Sequence, residues 1–511
     1  MAKKPLKPSI ILVSDRTLSG KYNILFEGIF ATMQTTHTPE LAMKMLVSPK
    51  MKSDADGRAW QAALGLRRIE ASLIHELDLS EDDIVCTTPE RLGDLLGDHV
   101  KLVMVSSSDP LGMGMSNTTT TCFWDGQLYT KVWTDKMMQQ IKQAKDKFGF
   151  MVLAGGAGAW QWAHDKQTAE NQGIDIVYEG YFETDGPKLV RNILNGKSPE
   201  AHYICNVCGV DKVRPIKSAS LMGIVELSRG CGKGCRFCTM AKHRMEHVDT
   251  DTILSDIEIN VANGVHSTVV GSEDFFRYGG KGYKPNFAAL CGLLGEMRKI
   301  KGLDFAQIDH GNISTILQFT NDELKEIRRL MSLTNKTEYL WVNMGIESAN
   351  GKLVEANSSG KIVPFEADNW YEMVLDVADK MITCGFFPVF SIVLGLPGET
   401  VADIELTKKL MGELVQKRCV IFPIFYEPVI ADEVLTDTRF DINRMTQRHL
   451  DLYIMCYEQN FKNVPPMYWD NQRAGGVSWA KRALILALGK TEVAAWRKNF
   501  KRLRGQLPQE Q

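Results

Sequence analysis

Residues 228–238 read SRGCGKGCRFC and place Cys231, Cys235 and Cys238 in a C-x3-C-x2-C spacing among glycines. Thiolates gathered in one loop bind a soft metal, and their number narrows which metal it is. A closed structural zinc site takes four protein ligands. The Cys205-x2-Cys208 pair in YICNVCGVD could complete such a site only by folding back. A 4Fe–4S cluster held by three cysteines instead leaves one iron open to a small molecule. On either reading the loop follows the apolar run GIVELS, so the metal sits where a strand ends.

Other reactive side chains also stand at the ends of apolar runs. Ser272-Glu273-Asp274 follows STVVG, Asp309-His310 follows DFAQI, Glu347-Ser348 follows EYLWVNMGI, and Glu399 follows the Gly395 turn in GLPGE. A histidine beside an aspartate at a strand end can move a proton at a substrate, or it can hold a loop. Cys205 and Cys208 lack a second pair at zinc-ribbon spacing and read as structural or as half of a metal site. Tyr468 and Trp469 in NVPPMYWDNQ read either as a cover for a barrel mouth or as packing residues.

The elements that carry these residues fall into two series. In residues 1–195 the runs SIILVSD, VKLVMVSSSDPLG, FGFMVLAGGAG and GIDIVYEG alternate with amphipathic stretches such as TDKMMQQIKQAKDK. Near-continuous apolar runs suit parallel strands covered on both faces, which gives a doubly wound, Rossmann-like α/β domain with its site at the strand carboxyl ends. Residues 196–220 lack periodicity and read as a linker. From 221 to 430 the runs GIVELS, STVVGSED, DFAQIDHGNIS, EYLWVNMGIES, PVFSIVLGLPGE and CVIFPIFYEP imply a full or partial β/α TIM-type barrel, with chemistry at the carboxyl ends. Residues 431–511 read as a helical region.

Composition sets bounds on partners. The 511 residues carry a formal net charge of −2, which offers no electrostatic case for nucleic acid or a polybasic surface. The start, MAKKPLKPSIILVSD, has too short an apolar run for a signal sequence, and ALILALG is flanked by Lys481, Arg482 and Lys490, so no transmembrane segment is expected. Eleven cysteines without a secretion signal argue for a cytoplasmic protein rather than a disulfide framework. Cys86, Cys122, Cys291, Cys384, Cys419 and Cys456 are scattered singly, as small buried hydrophobes are.

Residues 222–430 resemble the radical S-adenosylmethionine superfamily. Its cysteine motif stands here as Cys231, Cys235 and Cys238, with Phe237 as the aromatic before the last cysteine. Its second-strand motif stands as Gly271-Ser272-Glu273. The resemblance implies that Glu273 accepts a hydrogen bond from the methionyl amine, that Glu347 and Ser348 approach the ribose or carboxylate, and that Gly395 and Glu399 lie near the adenine. It also implies that the open iron binds S-adenosylmethionine and that the cluster's electron cleaves it to a 5′-deoxyadenosyl radical.

The first half resembles cobalamin-binding domains, whose Asp-x-His-x-x-Gly signature stands here as Asp15, Thr17 and Gly20. Ser107 and Ser108 end the next matching run, and Gly155-Gly156 ends the one after. Thr17 occupies the histidine position and cannot replace imidazole on cobalt, so cobalamin is expected to bind His-off. A domain that has kept the fold without the cofactor is the alternative. The whole resemblance implies an anaerobic, cobalamin-dependent radical methyltransferase that moves methyl from methylcobalamin to an unactivated carbon, with Asp309 and His310 as catalytic candidates. The same parts would serve cyclisation, rearrangement or lipid carbon–carbon coupling without methyl transfer; a redox or cobalamin sensor is a third, non-catalytic class. The implied partners are an electron donor such as flavodoxin or ferredoxin and a substrate that is a protein side chain, a lipid or a natural-product intermediate, with no nucleic acid.

Overall fold

The computed structural model describes residues 6–428 and 439–507. The chain forms two compact units, the first from residues 1–121, 125–225 and 248–266, the second from 122–124, 226–247 and 267–511.

The first unit is built on six strands: β1 (Ile10–Ser14), β2 (Ile84–Thr87), β3 (Leu102–Ser106), β4 (Met151–Gly155), β5 (Ile176–Glu179) and β6 (His202–Ile204). They lie in the order β2-β1-β3-β4-β5-β6, and every pair is parallel. Successive residues feed opposite faces, because strand side chains alternate. Ile11, Val13, Val103, Val105 and Val152 enter one core, while Ile10, Leu12, Leu102, Met104 and Leu153 enter the other. Two covered faces explain the unbroken apolar runs. The strand order reverses between β1 and β3, and a doubly wound sheet binds ligands in the crevice at that reversal.

Two strands of this sheet differ from the sequence reading. β2 was hidden because DDIVCTT carries too few apolar residues to stand out, although its four residues are all buried. β6 lies inside 196–220, the expected linker. Its half-exposed side chains suit an edge strand, with Ile204 at 59% exposure.

Apart from a two-residue antiparallel pair, Ser228–Arg229 with Glu246–His247, six further strands follow: β7 (Ile224–Glu226), at the boundary between the units, then β8 (Ser267–Gly271), β9 (Phe305–Ile308), β10 (Leu340–Glu347), β11 (Phe386–Leu394) and β12 (Val420–Phe425) in the second unit. They form two sheets, β7-β8-β9 and β10-β11-β12. A parallel bridge between His310 and Asn343, just past β9 and within β10, joins the sheets into one arc. The barrel is therefore partial, with strands in chain order and no closing pair among the described residues.

Two long helices, Gln447–Ala474 and Trp479–Gln506, follow. The start of the expected helical region at 431 lies outside the described residues. Aromatic rings knit these helices together, with Phe123 stacked 4.3 Å from Tyr453 and Trp496 at 4.6 Å from Tyr457. Asp470 accepts the backbone N–H groups of Glu338 at 2.8 Å and Tyr339 at 3.0 Å, just ahead of β10. The segment around Trp469 therefore packs at the amino ends of the strands, not over their mouth. Trp469 is covered by Arg482, whose guanidinium lies 4.4 Å from the ring centroid.

Candidate functional site

Gly230, Gly232 and Gly234 all take left-handed φ, at +68°, +66° and +68°, so the cysteine loop turns left-handed at every second residue. Only glycine does this without strain. A Cβ on Gly230 would sit 2.7 Å from two backbone carbonyl oxygens, which closes the position to any side chain.

The loop is held by its carbonyls. Arg277 donates to the Cys231 oxygen, Tyr283 donates to Gly232 at 2.7 Å, and the Gly360 N–H donates to Lys233 at 2.8 Å. Cys235 pairs with Ser358 in an antiparallel bridge, and the Arg236 N–H donates to Asn357 at 3.0 Å. The thiols have backbone partners as well: the N–H of Lys233 reaches Cys231 and that of Met240 reaches Cys238. Burial pushes Cys231 up to about 11 and Cys238 up to about 12, and the nearby cysteines and Glu273 add to the effect. A polycationic iron core reverses that penalty, because thiolate is its ligand form. No three His, Cys, Asp or Glu side chains among the described residues converge on a single ion. A cubane asks for something else, one thiolate at each of three separate irons. The donor set and its N–H···S bonds fit that group.

Buried charges surround the loop. Lys233 lies 3.3 Å from Asn312 and 4.9 Å from the Tyr283 ring centre, and burial lowers it to about 8. Asp274, fully buried, accepts from Thr315 at 2.6 Å and stands 3.8 Å from Arg277. Lys361 pairs with Glu347 where β10 ends. Burial acts to lower Lys361, but Glu347 and Cys235 outweigh it and hold it above the ordinary lysine range. Glu347 takes φ +64°, a conformation that side chains rarely adopt, at a bulge against β11. Gly345 makes room for the pair, since a Cβ there would meet Glu347 at 2.1 Å and Lys361 at 2.5 Å.

Glu273 and His310 influence each other electrostatically. Glu273 is open to solvent, yet protein crowds it enough that desolvation raises its carboxyl. His310 lies 2.8 Å from Asp309 through Nδ1 and 2.8 Å from the Asn343 amide through Nε2. Burial disfavours its charge, but Asp309 overrides this and pushes it up to about 9, with Glu273 contributing. The Asn343 amide nitrogen faces Nε2, which suits an accepting Nε2; an imidazolium there requires the amide turned to bring its oxygen to Nε2.

The remaining expected residues are placed differently. Ser272 accepts the Asp274 N–H at 3.2 Å and closes the turn after β8. Ser348 is buried, 3.3 Å from Thr407, and its carbonyl accepts from Trp370. Glu399 accepts the Gly395 N–H at 2.9 Å and lies 3.1 Å from His449, so it shapes its own turn. Phe237 meets Tyr426 edge-on at 6.3 Å.

In the first unit, Asp15 is fully buried and caps the short helix Arg16–Ser19, accepting Thr17 N at 2.8 Å. Thr17 is buried as well, turned into this cap. Gly20 packs so closely on Ser48 and Tyr22 that a Cβ would lie 2.5 Å from Ser48 Oγ. Gly155 ends β4, and Gly156 takes φ +92° with Ser106 and Ser107 at 2.7 Å from its Cβ position. The Ser108 carbonyl packs on Gly158 in the same way. Positions 15–20 hold no imidazole, and the Thr17 and Ser107 hydroxyls are spent on Asp15, so this loop offers cobalt no histidine ligand. Cys205 and Cys208 are buried just past β6.

Lys233, Arg277, Tyr283, Asn343 and Lys361 were not picked out from the sequence. Lys233 carried a signal, since a lysine between two cluster cysteines is confined with them. Lys361 carried none, being far from the cysteines in the chain and brought to them by the Cys235–Ser358 bridge.

Residues 225–411 match the family model described as the radical SAM superfamily. Among curated relatives, a tRNA-2-methylthio-N(6)-dimethylallyladenosine synthase from Hahella chejuensis is 20% identical over 327 residues, covering 63% of this chain and 69% of that protein. The enzyme of the same name from Shigella boydii serotype 18 is 22% identical over 290 residues, covering 55% of this chain and 57% of the relative. A solved structure of the radical S-adenosylmethionine methyltransferase TsrM from Kitasatospora setae, with tryptophan and an S-adenosylmethionine analogue bound, is similar in fold. It has a TM-score of 0.53 at 13% identity, over 82% of this chain and 75% of that one. That likeness extends over both α/β units and establishes shared architecture. Residues 225–411 therefore form a domain of the radical SAM superfamily, which implies a 4Fe–4S cluster and S-adenosylmethionine.

Proposed function

We propose that this protein is a cobalamin-dependent radical SAM methyltransferase acting on an unactivated carbon. The observation that carries the reading is the pairing, in one chain, of the cysteine loop with a parallel sheet whose reversal point is bounded by Asp15, Ser107 and Gly156. When bound, the cluster would supply the electron that cleaves S-adenosylmethionine, and cobalamin would supply the methyl group.

The chain's own residues then have distinct tasks. Cys231, Cys235 and Cys238 hold the cluster, and Arg277, Tyr283 and Gly360 keep their loop in shape. Glu273, which accepts no hydrogen bond from a described residue, is available to the methionyl amine. Lys361 and Glu347 set the charge beside the cluster, while Glu399 shapes the Gly395 turn on the adenine side. His310, paired with Asp309, moves a proton at the substrate. The substrate is a protein side chain, a lipid or a natural-product intermediate. The names of the curated relatives favour a second reading, methylthio transfer to RNA, which needs no cobalamin at the first unit.

Cobalamin binding separates the two. Anaerobically reconstituted protein should retain about one cobalamin per chain through gel filtration, and its reduced cobalt should show no splitting from a histidine nitrogen. Protein that retains no cobalamin overturns the methyltransferase reading, and a histidine-nitrogen signal overturns the His-off site.

A further inference from the structure

Ser358 carries a buried hydroxyl that bonds to nothing. The residue is 1% exposed and ends the helix Gly351–Asn357. Its backbone is used on both sides: the N–H donates to Glu355 at 3.4 Å, and the carbonyl accepts from Lys361 at 2.9 Å. Oγ has no hydrogen-bond partner among the described residues. Folded chains seldom strand a buried hydroxyl, and an orphan of this kind calls for a partner that arrives with a ligand.

The hydroxyl stands at the cysteine loop. Ser358 pairs with Cys235 in the antiparallel bridge, and the adjoining bond from the Arg236 N–H to Asn357 at 3.0 Å fixes the register. Residues directly opposite in an antiparallel pair carry their side chains on one face, with Cβ atoms about 4.5–5.5 Å apart. Rotation about a single side-chain bond therefore brings Ser358 Oγ to the Cys235 sulfur. Cys231 and Cys238 already have backbone N–H donors, from Lys233 and Met240. The ammonium of Lys361, three residues further on, is paired with Glu347. The orphan hydroxyl thus faces the remaining cysteine of the triplet.

We propose that Ser358 is a positioning residue whose hydroxyl donates to the Cys235 thiolate when a cluster is bound, and so makes that cluster easier to reduce. The inference rests on the cluster reading of the three cysteines. Reduction brings in one electron from a low-potential donor and breaks no bond in the protein. Part of the added charge falls on sulfur, where a hydrogen-bond donor stabilises it.

Potentiometric titration of the anaerobically reconstituted full chain, without S-adenosylmethionine and read by electron paramagnetic resonance, tests this. Ser358→Ala should keep about four irons. It should shift the one-electron equilibrium about tenfold toward the oxidised state, a change of 59 mV to more negative potential. Ser358→Thr, which retains the hydroxyl, should titrate with the parent. In resonance Raman spectra the iron–cysteine stretching bands of the parent should shift in D2O, and Ser358→Ala should lose part of that shift. Loss of iron from Ser358→Ala while Ser358→Thr keeps it would also support the bond. An unchanged potential in Ser358→Ala overturns the proposal. Equal shifts in both variants, or loss of iron from both, assign the position to packing and overturn it too. Weaker S-adenosylmethionine binding at an unchanged potential gives the hydroxyl to that ligand instead. Parent protein that takes up no iron overturns the cluster reading itself, whereas an iron-loaded parent with an unmoved variant overturns only the part given to Ser358.

Discussion

Ser107 donates its hydroxyl to the Asp15 carboxylate at 3.2 Å, tying the loop after β3 to the loop after β1. The bond spans the reversal point of the first sheet, where a doubly wound fold places its ligand. Burial pushes Asp15 up to about 6, and the bonds from Thr17 and Ser107 only partly offset it. A raised carboxyl binds its proton more tightly in the folded state than in the unfolded one. Stability should therefore fall as pH rises from about 4 through 6 and level off above. Asp15→Asn should remove that slope and raise the unfolding free energy at pH 8 by at most about 3 kcal/mol, read from urea denaturation. A variant that keeps the slope would show that Asp15 is not its source.

The cysteine loop makes the sharpest compositional prediction. Reconstituted protein should carry about four irons per chain, and Cys235→Ala should lose them. Gly230→Ala should lose them as well, because its Cβ meets two carbonyls at 2.7 Å. Iron analysis of purified variants checks both, and full iron in either would contradict the loop geometry.

Lys361 and Glu347 are predicted to act as a unit. Lys361→Met leaves a buried carboxylate unpaired and should cost about 3–5 kcal/mol. Adding Glu347→Gly should recover much of that loss, because the lone charge goes and glycine accepts φ +64° readily. Denaturant unfolding of the single and double variants measures the coupling, and additive losses would rule it out.

His310 should show a titration of the opposite sense to Asp15. Its folded value of about 9 lies above the ordinary 6.5, so the contribution of its pair with Asp309 is complete below about pH 6.5 and is lost as pH rises through about 9. Thermal unfolding between those limits should show that decline in the parent protein and a flatter profile in Asp309→Asn. Identical profiles would remove Asp309 as the cause.

Much of the fold was legible because covered parallel strands write themselves as unbroken apolar runs; β1, β3, β4 and β5 and the six barrel strands were marked this way. β2 and β6 were not, one being short and the other a polar edge. In the site, residues tied to a local pattern could be read: the cysteine triplet, Glu273, Glu347, and the His310–Asp309 pair. What sequence could not give was side-chain direction. Ser348 and Thr17 belong to their motifs by spacing yet are turned into packed interiors by Thr407 and by Asp15. Lys361 and Arg277 reach the cysteine loop only through tertiary contacts that leave no periodic trace.

The central claim is that one chain both cleaves S-adenosylmethionine and transfers its methyl group. Anaerobic incubation of reconstituted protein with S-adenosylmethionine, cobalamin and a low-potential reductant, followed by product quantification, tests it most directly. Formation of 5′-deoxyadenosine together with S-adenosylhomocysteine, both lost in Cys235→Ala, is the predicted result. 5′-Deoxyadenosine without S-adenosylhomocysteine, whether or not cobalamin is added, would contradict methyl transfer.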